Sequence, residues 1–323
     1  MKAVVFTAGG AHLNTMMGML EELERSKRLE GVQAYAGISA GAILASFCAT
    51  RPVATAIKQL RSILLKHCCD AIKPHYKYLN LPLSALFQNS ILDDSGLTTI
   101  LKAELEGKEV QGDLYIGLTN ETRMCYEIHH FGPRAKKNTL TLGEAVHASM
   151  SIPVIFEGED TNDGQHLSDG GVFHQVPVLA IQQMLKRALQ EKNVLDLTIL
   201  ASSPWKYAPD MPKSSYPLLA RRTWHYMDCL QTNNMTTDRE ILREAFEIYK
   251  DKVKVEFKMF MLPSVLAQKL HKTFTFTKLS HISENEIEKL LNLGRNIVKT
   301  NSATYSMDQD EPSPFLHNLH LKY

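Results

Sequence analysis

The stretch VQAYAGISAGAILASF, residues 32–47, decides the fold class because a strand pattern and a helix pattern meet within it. Its first part, VQAYAGI, is an apolar run that is typical of a buried strand. After Ser39, the apolar residues Ile43, Leu44 and Phe47 recur at helical spacing. The stretch therefore predicts a strand, a tight turn at Ser39 and a helix.

A second unit of the same kind stands at the start of the chain. The run KAVVF (2–6) is short and rich in β-branched residues, and Gly9 and Gly10 follow it. Apolar residues then recur at helical spacing: Leu13, Met16, Met17, Leu20 and Leu23. Two strand–helix units within the first fifty residues predict an α/β fold with a parallel sheet.

The rest of the chain continues this alternation. A polar, proline-bearing stretch runs from Pro204 to Pro217 and is a candidate boundary, but the segments beyond it could complete the same sheet. We therefore expect one domain over 1–323, whose helix at 283–298 opens with a Ser283/Glu286 capping box. The predicted strands are 113–119, 125–131, 195–202 and 254–262, and the other predicted helices are 53–64, 142–150 and 218–250.

Composition narrows the class of protein. Lys and Arg number 36 against 35 Asp and Glu, so no overall field attracts nucleic acid, and we expect no nucleic-acid partner. The five cysteines form no C-x-x-C pair, and no apolar run is long enough for a secretory signal or a membrane span. We expect a cytoplasmic protein, soluble or peripheral to a membrane. No His or Cys cluster has ligand spacing, so we expect neither a metal nor a cofactor.

Ser39 lies in a G-x-S-x-G motif, with Gly37 and Gly41 giving the turn room. A strand before the serine and a helix after it expose a nucleophilic hydroxyl above the edge of a sheet. A serine at such a turn is also a common helix N-cap, and the motif alone leaves both interpretations open. Because parallel strands end at one edge, Gly9 and Gly10 should lie near Ser39, where their loop could face an oxyanion.

Two familiar alternatives fit the motif poorly. The loop AGGAHL is neither G-x-G-x-x-G nor a P-loop, which disfavours nucleotide binding. An ordinary α/β-hydrolase places several strands before its nucleophile, whereas here only one strand precedes residue 32.

Four motifs taken together resemble the patatin-like phospholipase family. The similarity spans residues 3–200 and is looser over 205–323, which would complete or cap the same fold. The resemblance implies a three-layer fold with a mainly parallel central sheet flanked by helices, and a serine/aspartate dyad without a catalytic histidine. The motifs are FTAGGAHLNTMMGML (6–20), GISAGA (37–42), ASMSIPVIF (148–156) and LSDGGVFHQVPV (167–178).

Carried over residue by residue, the resemblance makes Ser39 the nucleophile and Asp169, in the D-G-G motif, its base. Gly170 and Gly171 would support the turn that holds Asp169, although SDGG on its own is a strong turn signal. The oxyanion hole would lie in the loop after the first strand, at Gly9, Gly10, Ala11 and His12.

The first loop departs from the family pattern. The family commonly has Gly-Gly-Gly-x-Arg/Lys-Gly there, whereas this chain has Ala8 at the first position and His12 in place of the basic residue.

The activity that the resemblance implies is acyl-ester hydrolysis of phospholipid, lysophospholipid or neutral acylglycerol. The alternatives are a transacylase or small-ester hydrolase with the same dyad, and a non-catalytic acyl-lipid-binding protein.

The segment KPHYKYLNLPLSALF (73–87) interleaves aromatic and aliphatic residues with two lysines. It could be a lid that contacts a bilayer, or a packed loop that leads into the next helix. The sequence predicts neither head-group and positional specificity nor the oligomeric state.

Overall fold

The fold was described from a computed structural model of the chain. The structure describes residues 1–67, 73–74, 92–136, 138–153, 155–191, 194–204, 218–262 and 283–300. The proposed lid at 73–87 lies outside these residues except for its first two positions.

The central sheet is mainly parallel, which confirms the predicted α/β class. The strands are β1 (Lys2–Phe6), β2 (Ala34–Ile38), β5 (Asp113–Asn120), β6 (Cys125–Phe131), β7 (Glu159–Asp160), β8 (His166–Asp169), β9 (Val194–Ala201) and β10 (Lys254–Met261), and a separate small pair is β3 (Lys73–Pro74) with β4 (Leu92–Asp93). The order in the central sheet is β10-β9-β1-β2-β5-β8-β7, with β6 paired to β5. The run from β10 to β5 is parallel throughout, whereas β6, β8 and β7 join it antiparallel.

Helices cover both faces of the sheet. Alternate residues of β1 point to opposite sides: Val4 and Phe6 contribute to one core cluster, and Ala3 and Val5 to the other. The helices in the described residues are α1 (Leu13–Arg25), α2 (Ala40–Thr50), α3 (Val53–His67), α4 (Ser95–Leu105), α5 (Leu142–Met150), α6 (Val178–Glu191), α7 (Leu218–Tyr249) and α8 (Glu284–Thr300). The first cluster includes residues of α1 to α5 and α8, and the second includes residues of α6 and α7.

Most predicted elements are present with small shifts at their ends. The predicted strand from residue 32 begins at Ala34, because the N–H of Val32 donates to Leu29 O in the preceding turn. The predicted capping box is formed, since the Ser283 hydroxyl donates to Glu286 and accepts from its backbone N–H. Two further helices, α4 and α6, are segments for which the sequence patterns above predict no bounds.

Glycines allow α1 and α8 to cross at very short range. A Cβ atom on Gly18 would lie 2.1 Å from Leu291 O, and one on Gly294 would lie 2.0 Å from Thr15 O. Real side chains do not tolerate such contacts, so these positions require glycine for close packing. The crossing holds α8, near the end of the described chain, against the first helix.

Candidate active site

Ser39 occupies a strained turn between β2 and α2. Its φ is 57° and its ψ is −127°, a conformation that a residue with a side chain adopts at a cost. A Cβ on Gly37 would lie 2.2 Å from Gly41 O, and one on Gly41 would lie 2.5 Å from Thr7 O. Both glycines of the motif are therefore required by close approach of the backbone around the serine.

The register of the sheet brings Asp169 beside Ser39. Strand β2 ends with Ile38 opposite Gly117 of β5, and β8 ends with Asp169 opposite Leu118, the next residue of β5. The two strands thus meet end to end along one edge of β5. The Ser39 side chain interacts with the Asp169 carboxyl group, and the two residues are only 5% and 4% exposed.

Backbone and side-chain hydrogen bonds hold Asp169 on three sides. Its N–H donates to Ser151 O over 2.9 Å, and Thr119 Oγ1 donates to its carbonyl over 2.8 Å. The N–H of Gly171 donates to Asp169 Oδ1 over 2.7 Å, so the aspartate also caps the short 3-10 helix Gly170–Val172. The residue is thus both the end of a strand and the start of the turn that SDGG predicted.

Burial raises the pKa of Asp169 to about 7, although the hydrogen bonds from Ser39 and Gly171 oppose the rise. A carboxyl group with this pKa exchanges a proton readily near neutral pH. It can therefore accept the proton of a neighbouring hydroxyl and return it.

Ser149 on α5 supports the serine turn and was not singled out in the sequence analysis. The N–H of Ser39 donates to Ser149 Oγ over 2.9 Å, and that hydroxyl donates to Gly117 O over 2.8 Å. Ser149 thereby ties the Ser39 turn to β5. Ser149 lies in the ASMSIPVIF motif, but nothing in the local sequence of that motif indicates that its side chain contacts Ser39.

A buried cluster of charged side chains holds α5 in place. His147 on α5 donates from Nδ1 to Glu159 over 2.6 Å and from Nε2 to Asp94 over 3.2 Å. Burial lowers the pKa of His147, but the bonds to Asp94 and Glu159 outweigh it and raise the pKa to about 9. The histidine is therefore charged at neutral pH, and α5 is anchored close to Ser149.

Residues 8–12, called the glycine loop from here on, lie beside Ser39 and Asp169. Gly10 has a φ of +46° and begins a short 3-10 helix, Gly10–His12. The N–H of His12 donates to Gly9 O over 2.8 Å, within the loop itself, and the expected part of His12 in the oxyanion hole stays a prediction. The first N–H groups of a helix lack partners within the helix itself, so those of Gly10 and Ala11 are the candidate oxyanion donors of this loop.

The loop that carries Asp169 holds the glycine loop in place. The N–H of Ala8 donates to Gln175 O over 2.8 Å. A Cβ on Gly171 would lie 3.4 Å from the Ala8 side chain and 2.9 Å from Asp169 Oδ1. The structure therefore brings the loop at 8–12, Ser39 and the D-G-G turn to one place, as the sequence predicted.

Other features lie away from this place. A cavity of about 720 Å³ is lined by Val110, Phe131 and Leu140 among others, near the start of β5, and contains none of the residues above. Within the described ranges, no group of three His, Cys, Asp or Glu side chains could hold a metal ion. None of the helices in the described parts of the chain has both the length and the apolar character of a membrane span.

Three solved structures show similarity to the chain. VipD from Legionella pneumophila matches 92% of this chain and 66% of its own, at 14% identity and a TM-score of 0.43. The type III effector ExoU matches 91% of this chain and 53% of its own, at 14% identity and a TM-score of 0.31. A chain of the complex of SpcU with ExoU from Pseudomonas aeruginosa matches 76% and 52%, at 15% identity and a TM-score of 0.30. This chain thus spans 66% or less of their lengths.

The family comparison is more direct. No curated protein matches the chain significantly. The family model described as patatin-like phospholipase matches residues 4–181, more than half of the chain, and includes Ser39, Asp169 and the glycine loop. The chain therefore belongs to the patatin-like phospholipase family.

Proposed function

We propose that the chain is a lipid acyl hydrolase of the phospholipase A or lysophospholipase type, which works through a Ser39/Asp169 dyad and an acyl-enzyme. The observation that carries the proposal is that the sheet register places the buried Ser39, at a strained strand–helix turn, beside the buried Asp169 carboxyl group. This geometry is what a hydroxyl nucleophile and its base require.

The first half of the proposed reaction forms the acyl-enzyme. Ser39 Oγ attacks the carbonyl carbon of a fatty-acyl ester while Asp169 takes the hydroxyl proton. The N–H groups of Gly10 and Ala11 stabilise the oxyanion that develops on the carbonyl oxygen, with Gly9 shaping the loop. The tetrahedral intermediate then collapses, and the alcohol leaves with the proton that Asp169 returns.

The second half releases the fatty acid. A water molecule attacks the acyl-Ser39 carbonyl carbon while Asp169 accepts a proton from the water. Collapse of the second tetrahedral intermediate breaks the bond to Ser39 Oγ, and the proton on Asp169 returns to that oxygen. The cycle consumes one water molecule and needs no metal ion.

The proposal is tested by measuring fatty-acid release from vesicles of phosphatidylcholine, phosphatidylethanolamine, lysophosphatidylcholine and triacylglycerol. We expect Ser39→Ala to lower the rate by about 10³-fold or more, and Asp169→Asn by about 10²- to 10⁴-fold. Ser46→Ala is the matched control, because Ser46 is also buried but lies two turns along α2. Its rate should stay within about twofold of wild type.

Two results would favour other functions. Capture of the acyl group by added glycerol or lysolipid in place of water would indicate a transacylase with the same dyad. Binding of lipid without fatty-acid release, and without fluorophosphonate labelling of Ser39, would indicate a non-catalytic lipid-binding protein. Equal rates for wild type, Ser39→Ala and Asp169→Asn would overturn the dyad itself.

A further inference from the structure

Helix α7 contacts the proposed active site although it lies outside the residues that match the family model, 4–181. Asn234 and Asp238 are four residues apart on α7 and therefore lie on one face of the helix. Both side chains bind the segment 171–176, which follows Asp169 directly.

Asp238 is completely buried and takes part in three hydrogen bonds. Its Oδ2 accepts the N–H of Gln175 over 2.7 Å and the N–H of Val176 over 2.8 Å. Its Oδ1 is bonded to Nδ1 of His174. A buried carboxylate is costly unless such donors surround it, and here they all come from one loop.

Gln175 connects Asp238 to both parts of the proposed site, the glycine loop and the turn that follows Asp169. The carbonyl of Gln175 accepts the N–H of Ala8, the first residue of the glycine loop. The side-chain Nε2 of Gln175 donates to Gly171 O over 2.7 Å, beside the N–H that binds Asp169 Oδ1. A shift of Gln175 would therefore move the proposed base and the proposed oxyanion donors together.

Asn234 adds a second attachment to the same loop. Its Nδ2 donates to Val172 O over 2.9 Å and to Gly171 O over 3.3 Å. Gly171 thus receives donors on its carbonyl from both Gln175 and α7, while its own N–H points to Asp169. Asn234 thus attaches the 3-10 turn that Asp169 caps to α7.

We propose that Asp238, assisted by Asn234, is a positioning residue that sets the Asp169 carboxylate and the Ala8–Ala11 loop relative to Ser39. The proposal rests on the function proposed above. Small displacements of reacting groups by mutations away from the chemistry can cost about 10²-fold in rate. Loss of the α7 contacts should therefore lower kcat more than it changes KM.

The test compares kcat and KM for fatty-acid release in three variants. Asp238→Ala should lower kcat by about 10- to 100-fold with KM within about threefold. Asp238→Asn should recover most of the activity, because its Oδ1 can still accept the two backbone N–H groups and its Nδ2 keeps a polar atom facing His174 Nδ1. Leu242→Ala is the control: it removes a buried side chain one turn further along α7, so it should lower Tm but leave kcat unchanged.

A second measurement does not depend on activity. Amide hydrogen exchange should rise in residues 171–176 and at Ala8 in Asp238→Ala, but not in Leu242→Ala. If Asp238→Ala fails to fold, Asn234→Ala serves instead, with an expected loss of about tenfold in kcat. An unchanged kcat in Asn234→Ala would then overturn the proposal.

The outcomes separate this inference from the function on which it rests. If wild type releases fatty acid and Asp238→Ala matches Leu242→Ala in kcat, the positioning role is wrong and the proposed function stands. If wild type neither releases fatty acid nor reacts with a fluorophosphonate, the proposed function fails and the positioning role fails with it.

Discussion

Ser39 and Asp169 are each held in a state that costs stability. Ser39 has a backbone conformation that favours glycine, and Asp169 is a carboxyl group with little access to water. Strain and raised carboxyl pKa values concentrate at functional sites because selection for stability alone would remove them. The two costs occur at adjacent residues of one site, which supports the dyad more than either cost does by itself.

The raised pKa of Asp169 predicts how the free energy of unfolding depends on pH. Because its folded pKa of about 7 exceeds the ordinary value of 3.8, the stability that Asp169 contributes is complete below pH 3.8 and is lost as the pH rises through 7. Wild type should lose about 2–3 kcal/mol between pH 5 and pH 8 from this group, at about 1.4 kcal/mol per pKa unit. Asp169→Asn should remove that loss, as measured by urea unfolding at both pH values.

The control for this experiment is Asp251→Asn, because Asp251 is exposed after the end of α7. It should leave the difference in unfolding free energy between the two pH values as in wild type. The interpretation would be wrong if Asp169→Asn showed the same loss between pH 5 and pH 8 as wild type.

At the scale of single residues, Ser39 and Asp169 of the proposed dyad could be singled out from the sequence because their signals are local or lie in ordered motifs. Ser39 is marked by a strand, a glycine-flanked turn and a helix, all within 32–47. Ser149 and Asp238 carry no such signal, since their partners lie 110 and 63 residues away in sequence. Contacts of that range depend on the complete sheet and could not be predicted from periodicity.

At the scale of elements, length and visible periodicity decided what could be predicted. The strands that became β1, β5, β6, β9 and β10 have five to eight residues, enough for an apolar pattern. Strand β7 has only two residues and β8 four, so no pattern marks them. Helix α6 does carry a signal, Pro177 followed by Val178, Ile181 and Leu185, but that segment was interpreted only through its D-G-G motif.

The crossing of α1 and α8 gives a prediction in which two effects oppose each other. Alanine is favoured over glycine in a helix by about 1 kcal/mol. At residue 294, however, the added Cβ would lie 2.0 Å from Thr15 O, and such overpacking costs about 1–3 kcal/mol or more. Because the atom it meets is backbone, the clash should prevail, and Gly294→Ala should lower the free energy of unfolding by a net amount of about 1–2 kcal/mol.

Chemical denaturation measures this effect, with Asn292→Ala on the exposed face of α8 as the control. The control should change the free energy of unfolding by no more than about 0.5 kcal/mol. A Gly294→Ala protein as stable as wild type, or more stable, would show that the two helices can separate without cost.

At the scale of the whole molecule, the family match covers one part of the sheet and the rest of the chain completes it. The match ends at residue 181, yet β9 pairs with β1 and β10 pairs with β9 at the sheet edge. Helix α7 reaches the loop after Asp169, and α8 packs on α1. The prediction of a single domain agrees with these contacts and stays a prediction for the full length.

The dyad is tested most directly by the rate at which a fluorophosphonate reacts with Ser39 as a function of pH. We expect the adduct on Ser39 by peptide mass analysis, with a rate that rises with pH to a plateau and an apparent pKa of about 7, since Asp169 must be ionised to accept the hydroxyl proton. Asp169→Asn should react about 10²- to 10⁴-fold more slowly and show no step near pH 7. An adduct on a different residue, or an Asp169→Asn protein with the rate and pH profile of wild type, would contradict the Ser39/Asp169 dyad.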